Sequence, residues 1–280
     1  MILSTKQLLT YLFALCSIVV FLSRDAHDVS TNTVATFPIV ARAKAAEVDS
    51  FVPAPSQGKY EHLEVTRGCT HGTNEDCAKA YTGPGVQYEI VYELEKGMLL
   101  KIEDTKIVNG QLWHHLYFDE QLRHGERTQK DWYVPATAGK VIKADGVETL
   151  TAQSVTSKRI VVDLSDQMLY AYEGNKEFFV TSVSTGGDET PTPVGTFTIN
   201  KKTPTRYMQG PLPGVTSTPF DLPGVPWNMY FTEDGAIIHG AYWHDRYGTK
   251  QSNGCINLPI ELAKLLYDWA PVGTTVTIKQ

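Results

Sequence analysis

The stretch Arg159-Ile160-Val161-Val162-Asp163-Leu164-Ser165-Asp166-Gln167-Met168-Leu169-Tyr170-Ala171-Tyr172 sets the fold class. β-Branched and aromatic residues flank a Ser165-Asp166 turn, so the segment reads as a β-hairpin. Toward the C-terminus, further strands are expected at 177–182, 195–200, 227–231, 236–239 and 274–278. One main helix is expected over 259–269. Pro259 suits a first-turn position, Leu262, Leu265, Leu266 and Trp269 recur at helical spacing to face a sheet, and Gly273 follows its end. Residues 203–226 are interrupted by Gly210, Pro211, Pro213, Gly214, Pro223, Gly224 and Pro226. They read as a long irregular loop of the kind that covers a site.

Working back toward the N-terminus, short β-type runs at 88–94, 98–102, 111–117 and 131–134 alternate with turns and predict a small barrel with Trp113 and Trp132 in its core. His114 and His115 are adjacent on a strand and point to opposite faces, so they do not act as a pair. His124, in a polar loop, reads as solvated. Residues 25–59 are rich in Ala, Ser, Thr, Val and Pro without a sustained period and read as a flexible linker. Lys6 and the apolar run 8–22 read as an export leader, either a cleaved signal peptide or a signal-anchor that tethers the protein to a membrane. Leu15 before Cys16 argues against a lipid anchor there. The expected organisation is therefore a leader over 1–24, a linker over 25–59, the small barrel and connector over 60–150, and a second β domain over 151–280.

The 280 residues are 42% hydrophobic and 20% charged, enough to bury a core. The formal charge of −6 and the lack of a basic run argue against a nucleic-acid partner. An exported protein works outside the cytoplasm, where Cys69 and Cys77, enclosing a short polar loop, most simply form a disulfide. The rival is a metal site of Cys69, His71 and Cys77 with His62, but its spacing matches no common zinc pattern. Cys255 is then an unpaired thiol in an oxidising compartment.

Cys255 lies in Ser252-Asn253-Gly254-Cys255-Ile256-Asn257, and His239 ends the apolar run Ala236-Ile237-Ile238-His239-Gly240. A thiol is only slightly ionised at neutral pH, so this reads as a nucleophile with its base. Gly254 permits a close approach of backbone amides to a forming oxyanion. His244 is the rival base. A metallohydrolase built on His239, His244 and Cys255 lacks the carboxylate or third histidine of a catalytic zinc set. No metal or cofactor is expected.

Two resemblances extend this reading. The turns Thr82-Gly83-Pro84-Gly85, Glu95-Lys96-Gly97 and Asn109-Gly110 with Trp113 and Trp132-Tyr133-Val134 resemble a bacterial SH3-like domain, which implies a wall-binding or spacing role. Four ordered segments are similar to the L,D-transpeptidase family of YkuD type. They are Val162-Asp163-Leu164 with Gln167 to Tyr172; Ser184-Thr185-Gly186 with Thr190-Pro191-Thr192-Pro193-Val194-Gly195; Ile238-His239-Gly240-Ala241-Tyr242-Trp243-His244; and Ser252 to Leu258. The resemblance implies a mostly β sandwich catalytic domain acting on peptidoglycan stem peptides. In it Cys255 is the nucleophile, His239 the base, the Gly240 carbonyl the group orienting His239, and Gly254 an oxyanion donor beside Ser252. It also implies a thioester intermediate, third-to-third-residue cross-links and acylation by carbapenems. Trp243, Tyr230, Phe220, Met208 and Asn257 are the candidates for the donor groove. The family pattern has histidine where this chain has Asn253, a residue that still hydrogen-bonds but carries no proton at neutral pH. The alternatives are an L,D-carboxypeptidase, in which water resolves the thioester, and a non-catalytic wall-binding protein with a degenerate site.

Overall fold

The computed structural model describes residues 60–70, 77–118, 124–144, 146–151, 156–211 and 217–280. The leader with its apolar run 8–22 and Cys16, the linker 25–59 and the loop holding His71 lie outside these described residues. Seventeen strands and one α-helix make the described chain mostly β, as the sequence predicts.

The first seven strands are β1 (Tyr60–Val65), β2 (Lys79–Tyr81), β3 (Ile90–Glu93), β4 (Leu99–Val108), β5 (Gln111–Leu116), β6 (Trp132–Pro135) and β7 (Gly139–Ala144). They form one sheet in the order β3-β2-β6-β5-β4-β1-β7. Its edges are β3 and β7, so closure into a barrel is not part of the described pairing. β1 and β7 are absent from the sequence reading because charges interrupt their apolar residues. Those charges lie opposite one another, with Glu64 facing Lys140 and Glu61 facing Lys143 in register. The side chains meet at 3.2 and 3.6 Å, while Leu63 and Val65 turn inward. Trp113 and Trp132 are buried as expected. His114 is buried and bonded to Thr105 at 2.9 Å, whereas His115 lies against Glu103 and Asp131. Cys69 and Cys77 are joined by a disulfide. Both sulfurs of the metal alternative are therefore bonded to each other.

The second half holds β8 (Glu148–Thr149), β9 (Lys158–Asp163), β10 (Met168–Glu173), β11 (Lys176–Ser182), β12 (Gly195–Thr198), β13 (Lys201–Gln209), β14 (Asp221–Tyr230), β15 (Ile237–Gly240), β16 (Ile256–Leu258), α1 (Ile260–Trp269) and β17 (Thr275–Lys279). Two five-stranded sheets result, β11-β10-β9-β17-β12 and β16-β15-β14-β13-β8. The predicted hairpin is β9–β10. Ile160 faces Ala171 and Val162 faces Leu169, all four buried in one cluster with Met229, Ile238 and Ile256 of the other sheet. Complete burial of an Ile or Leu side chain of this kind stabilises the fold by about 1.5–3 kcal/mol. Asp163 shapes the turn by accepting from the Ser165 amide and hydroxyl and the Asp166 amide at 3.1, 2.7 and 3.1 Å. Lys279, with these donors, holds its carboxyl well below the usual range.

Helix α1 follows Pro259, which caps it from outside rather than occupying its first turn. Its most buried stripe is Ala263, Leu266, Tyr267 and Ala270, whereas Leu262, Leu265 and Trp269 are only partly buried. Both stripes have helical spacing. The small Ala263 lets the helix approach the sheet closely, and Tyr267 packs on Trp227 with ring centroids 5.4 Å apart.

Most of the described part of 203–226 is strand rather than irregular loop. Lys201–Gln209 and Asp221–Tyr230 pair as an antiparallel hairpin. Pro204 is accommodated because β8 covers β13 only at Lys201 and Lys202, so the strand beyond is an edge where a missing N–H costs little. This hairpin is held against the N-terminal sheet. Val225 and Tyr242 are buried in the same cluster as Leu63, Met98 and Leu100. The Thr205 hydroxyl donates to the Leu99 carbonyl, and the Tyr92 hydroxyl to the Asp221 carbonyl at 3.2 Å. The backbone of His124, read as solvated, donates to the Gln209 side chain at 2.9 Å.

Candidate active site

The site is assembled on β15 and β16, which pair in parallel with Ile238 opposite Ile256 and His239 opposite Asn257. Ile238, Ile256 and Leu258 face the core. Alternation sends Ile237, His239 and Asn257 to the opposite face, and Cys255, next in register beside Ile237, joins them. His239 is 1% exposed. Its Nδ1 donates to the Gly240 carbonyl at 3.0 Å, which leaves Nε2 as the free base nitrogen. Cys255 is a free, half-buried cysteine.

Burial pushes His239 down to about 4, against the Gly240 hydrogen bond and together with the positive charge of Arg206. Burial pushes the Cys255 thiol up, opposed by a backbone hydrogen bond from Ile237 and by Arg206. Both shifts favour the uncharged forms of the two groups at neutral pH.

A chain of hydrogen bonds fixes the turn that presents Cys255. It begins at Gln167, with φ of 53° at the end of the β9–β10 turn. The Gln167 amide donates to the Leu164 carbonyl and to the Thr185 hydroxyl, each at 2.7 Å, and accepts from the Thr185 amide at 3.0 Å. The Thr185 carbonyl in turn accepts from the amides of Gln251 and Ser252 at 2.9 and 3.0 Å. The Ser252 hydroxyl donates to the Cys255 carbonyl at 2.6 Å and accepts from the Gly254 amide at 3.2 Å. Thr192 completes the clamp, accepting from the Gly186 amide at 2.9 Å and donating to the Gly254 carbonyl at 3.1 Å. Gly254 has a φ of 101°, in the region that favours glycine. At Gly186 a Cβ would fall 2.2 Å from the Thr190 carbonyl oxygen.

Asn253 is exposed, and no side-chain bond ties it to the described residues. The turn is thus held by Ser252 and Thr192 and not by the side chain of Asn253. Among the groove candidates, Trp243 stacks on His239 with ring centroids 5.7 Å apart, and Asn257 lies opposite His239. Tyr230 pairs with Ile237 on the same face. Met208 packs toward the N-terminal core, and Phe220 lies under Gly210 near the far end of the hairpin. Sequence reading missed Arg206, Thr192 and Gln167. Thr192 stood in a segment quoted for its resemblance to the family without a role for its hydroxyl, and Arg206 had no signal in a stretch that its prolines made look irregular.

Three solved structures are similar to parts of this chain. An L,D-transpeptidase from Mycobacterium smegmatis is 18% identical, covering 63% of this chain and 93% of its own, with a TM-score of 0.42. The catalytic domain of an L,D-transpeptidase from E. faecium is 28% identical over 45% of this chain and 99% of its own, with a TM-score of 0.39. L,D-transpeptidase 3 from Mycobacterium tuberculosis, in complex with a faropenem-derived adduct, is 17% identical over 64% and 98%, with a TM-score of 0.42. No curated protein matches the sequence. Residues 157–278, the part of the chain that contains His239, Asn253 and Cys255, match the model of the YkuD family, the L,D-transpeptidase catalytic domain.

Proposed function

We propose that this protein is a peptidoglycan L,D-transpeptidase in which Cys255 is the nucleophile and His239 its base. What supports the reading is the register that brings Cys255 beside Ile237, two residues before His239 on β15, together with the commitment of His239 Nδ1 to the Gly240 carbonyl. As Cys255 attacks the carbonyl of the third stem residue, its proton passes to Nε2 of His239. The S–C bond forms, the terminal D-alanine leaves with that proton on its nitrogen, and a thioester remains. An amine of a neighbouring stem then attacks the thioester, forms the amide and restores the thiol. Water in place of the amine makes the protein a carboxypeptidase.

The Cys255 amide, which has no partner among the described residues, is the readiest donor to the oxyanion. The Gly254 amide must first leave Ser252 Oγ. Asn253 is tolerated because its exposed side chain bears on neither proton transfer nor the turn. A carbapenem, whose strained amide meets the same thiol, is proposed as a covalent inhibitor. The substrate lies outside the cytoplasm, the compartment in which the Cys69–Cys77 bond persists and to which residues 8–22 would direct the chain. The N-terminal sheet is proposed as the SH3-like wall-contact or spacing module.

Incubation of the protein with purified tetrapeptide muropeptides, followed by mass analysis, tests this reading. Cross-linked dimers that have lost D-alanine support it, and tripeptides alone support the carboxypeptidase. Unchanged substrate supports the wall-binding alternative that Asn253 suggests.

A further inference from the structure

The face that carries Cys255 is bordered by two cations with no carboxylate partner among the described residues. Tyr230 pairs with Lys201 on one side and Ile237 on the other. Cys255 adjoins Ile237, since the next residues, Ile256 and Ile238, are paired. Lys201, Tyr230, Ile237 and Cys255 therefore form a row across the sheet, at about 5 Å per step. The Tyr230 ring is approached by Lys201 Nζ at 5.0 Å and by the Arg206 guanidinium at 5.4 Å from its centroid. Arg206 is half-buried on β13, beside the bulge between Arg206 and Met208. Its charge reaches both His239 and Cys255.

Packing on an aromatic face accounts for part of this arrangement. It leaves unexplained why a guanidinium, whose planar fork matches a carboxylate, is kept partly desolvated without one beside a nucleophile. On the transpeptidase reading, the residue that leaves carries a free carboxylate one residue beyond the carbon that Cys255 attacks. We propose that Arg206 binds the terminal carboxylate of the donor peptide, with Lys201 adding a second positive charge, and so confines cleavage to the last residue of the stem. The inference rests on that reading for its substrate and on Arg206 for its specificity.

The test uses the Cys255→Ala protein and diacetyl-L-lysyl-D-alanine, whose only carboxylate is the terminal one, alongside its C-terminal amide. Binding is measured by titration. The acid should bind about tenfold or more tightly than the amide, the range of a charge-assisted hydrogen bond. Adding Arg206→Gln should bring the ratio near one, Arg206→Lys should retain part of it, and melting curves should show each variant folded. Equal binding of acid and amide, binding of neither, or a ratio that survives Arg206→Gln overturns the proposal. Turnover of tetrapeptide stems by the unaltered protein is the separate measure of the transpeptidase reading. A preference for the acid without turnover removes that reading and keeps the carboxylate site, and turnover without the preference does the reverse.

Discussion

Asn257 donates a hydrogen bond to Nε2 of His244 at 2.9 Å, inside the protein, with both side chains buried. The bond occupies the ring nitrogen that His244 would need as a base, and His239, which lies opposite Asn257 in register, keeps its Nε2 free. On the proposed mechanism, this difference makes His239 rather than His244 the base. His239→Gln is expected to lower thioester formation by at least a hundredfold, the scale of a lost general base. His244→Gln should leave most of it, because glutamine can still accept from Asn257. Rapid-quench acylation of the two variants checks this, and the reverse order of damage would transfer the base role to His244.

The depressed proton affinity of His239 predicts an unusual acid limit. With its value pushed down to about 4, His239 stays a base well below the pH at which an ordinary histidine is protonated. Acylation rates measured from pH 4 to 8 should hold through pH 6 and fall only toward 4, whereas a fall centred near 6.5 would contradict the burial argument.

The same shift links pH to stability. The unfolded histidine takes up a proton near 6.5 and the folded one only near 4, so stability present above 6.5 is lost as pH falls through that window. The loss is on the order of 3 kcal/mol. Denaturant midpoints of the unaltered protein should show this slope, and His239→Gln should flatten it.

Thr192 lies outside the proposed catalytic pair, yet its hydroxyl joins the Gly186 amide to the Gly254 carbonyl. Thr192→Val removes both bonds at nearly constant shape and leaves a buried amide unpaired, at a cost of about 1–3 kcal/mol. Acylation should slow about tenfold as the turn loosens. Chemical denaturation and acylation kinetics on one preparation measure the two effects, and an unchanged acylation rate would show that the turn is held without Thr192.

The disulfide closes a short loop, with a sequence separation of 8 between Cys69 and Cys77. Replacing both with serine should lower stability by about 2–3 kcal/mol, on the chain-entropy account of a loop this size. The reactivity of Cys255 should be unaffected. Urea unfolding with a thiol-labelling control distinguishes the two.

Much of the architecture is legible from local pattern where one face of an element is buried. Ile160 and Val162 alternate against Leu169 and Ala171, and that alternation is the β9–β10 hairpin. The helix is legible in position but not in orientation, because Leu262 and Leu265 repeat with the same period as the more buried Ala263 and Leu266. The β13–β14 hairpin is concealed by Pro204, Pro223 and Pro226, which mark loops unless an edge strand and a bend accommodate them. At the site, the chemistry of His239 and Cys255 is legible from their side chains, and that of Gly240, a backbone carbonyl, from its place after His239. Arg206 and Gln167 do not, since each acts through pairings that close only when distant strands meet.

The central claim is that Cys255 forms an acyl bond with the help of His239. Intact-mass analysis after incubation with a carbapenem, with the adduct mapped by proteolysis, tests it most directly. The account predicts one adduct on Cys255, absent from Cys255→Ala and strongly slowed in His239→Gln. An unmodified protein, or an adduct that forms as fast without His239, would contradict it.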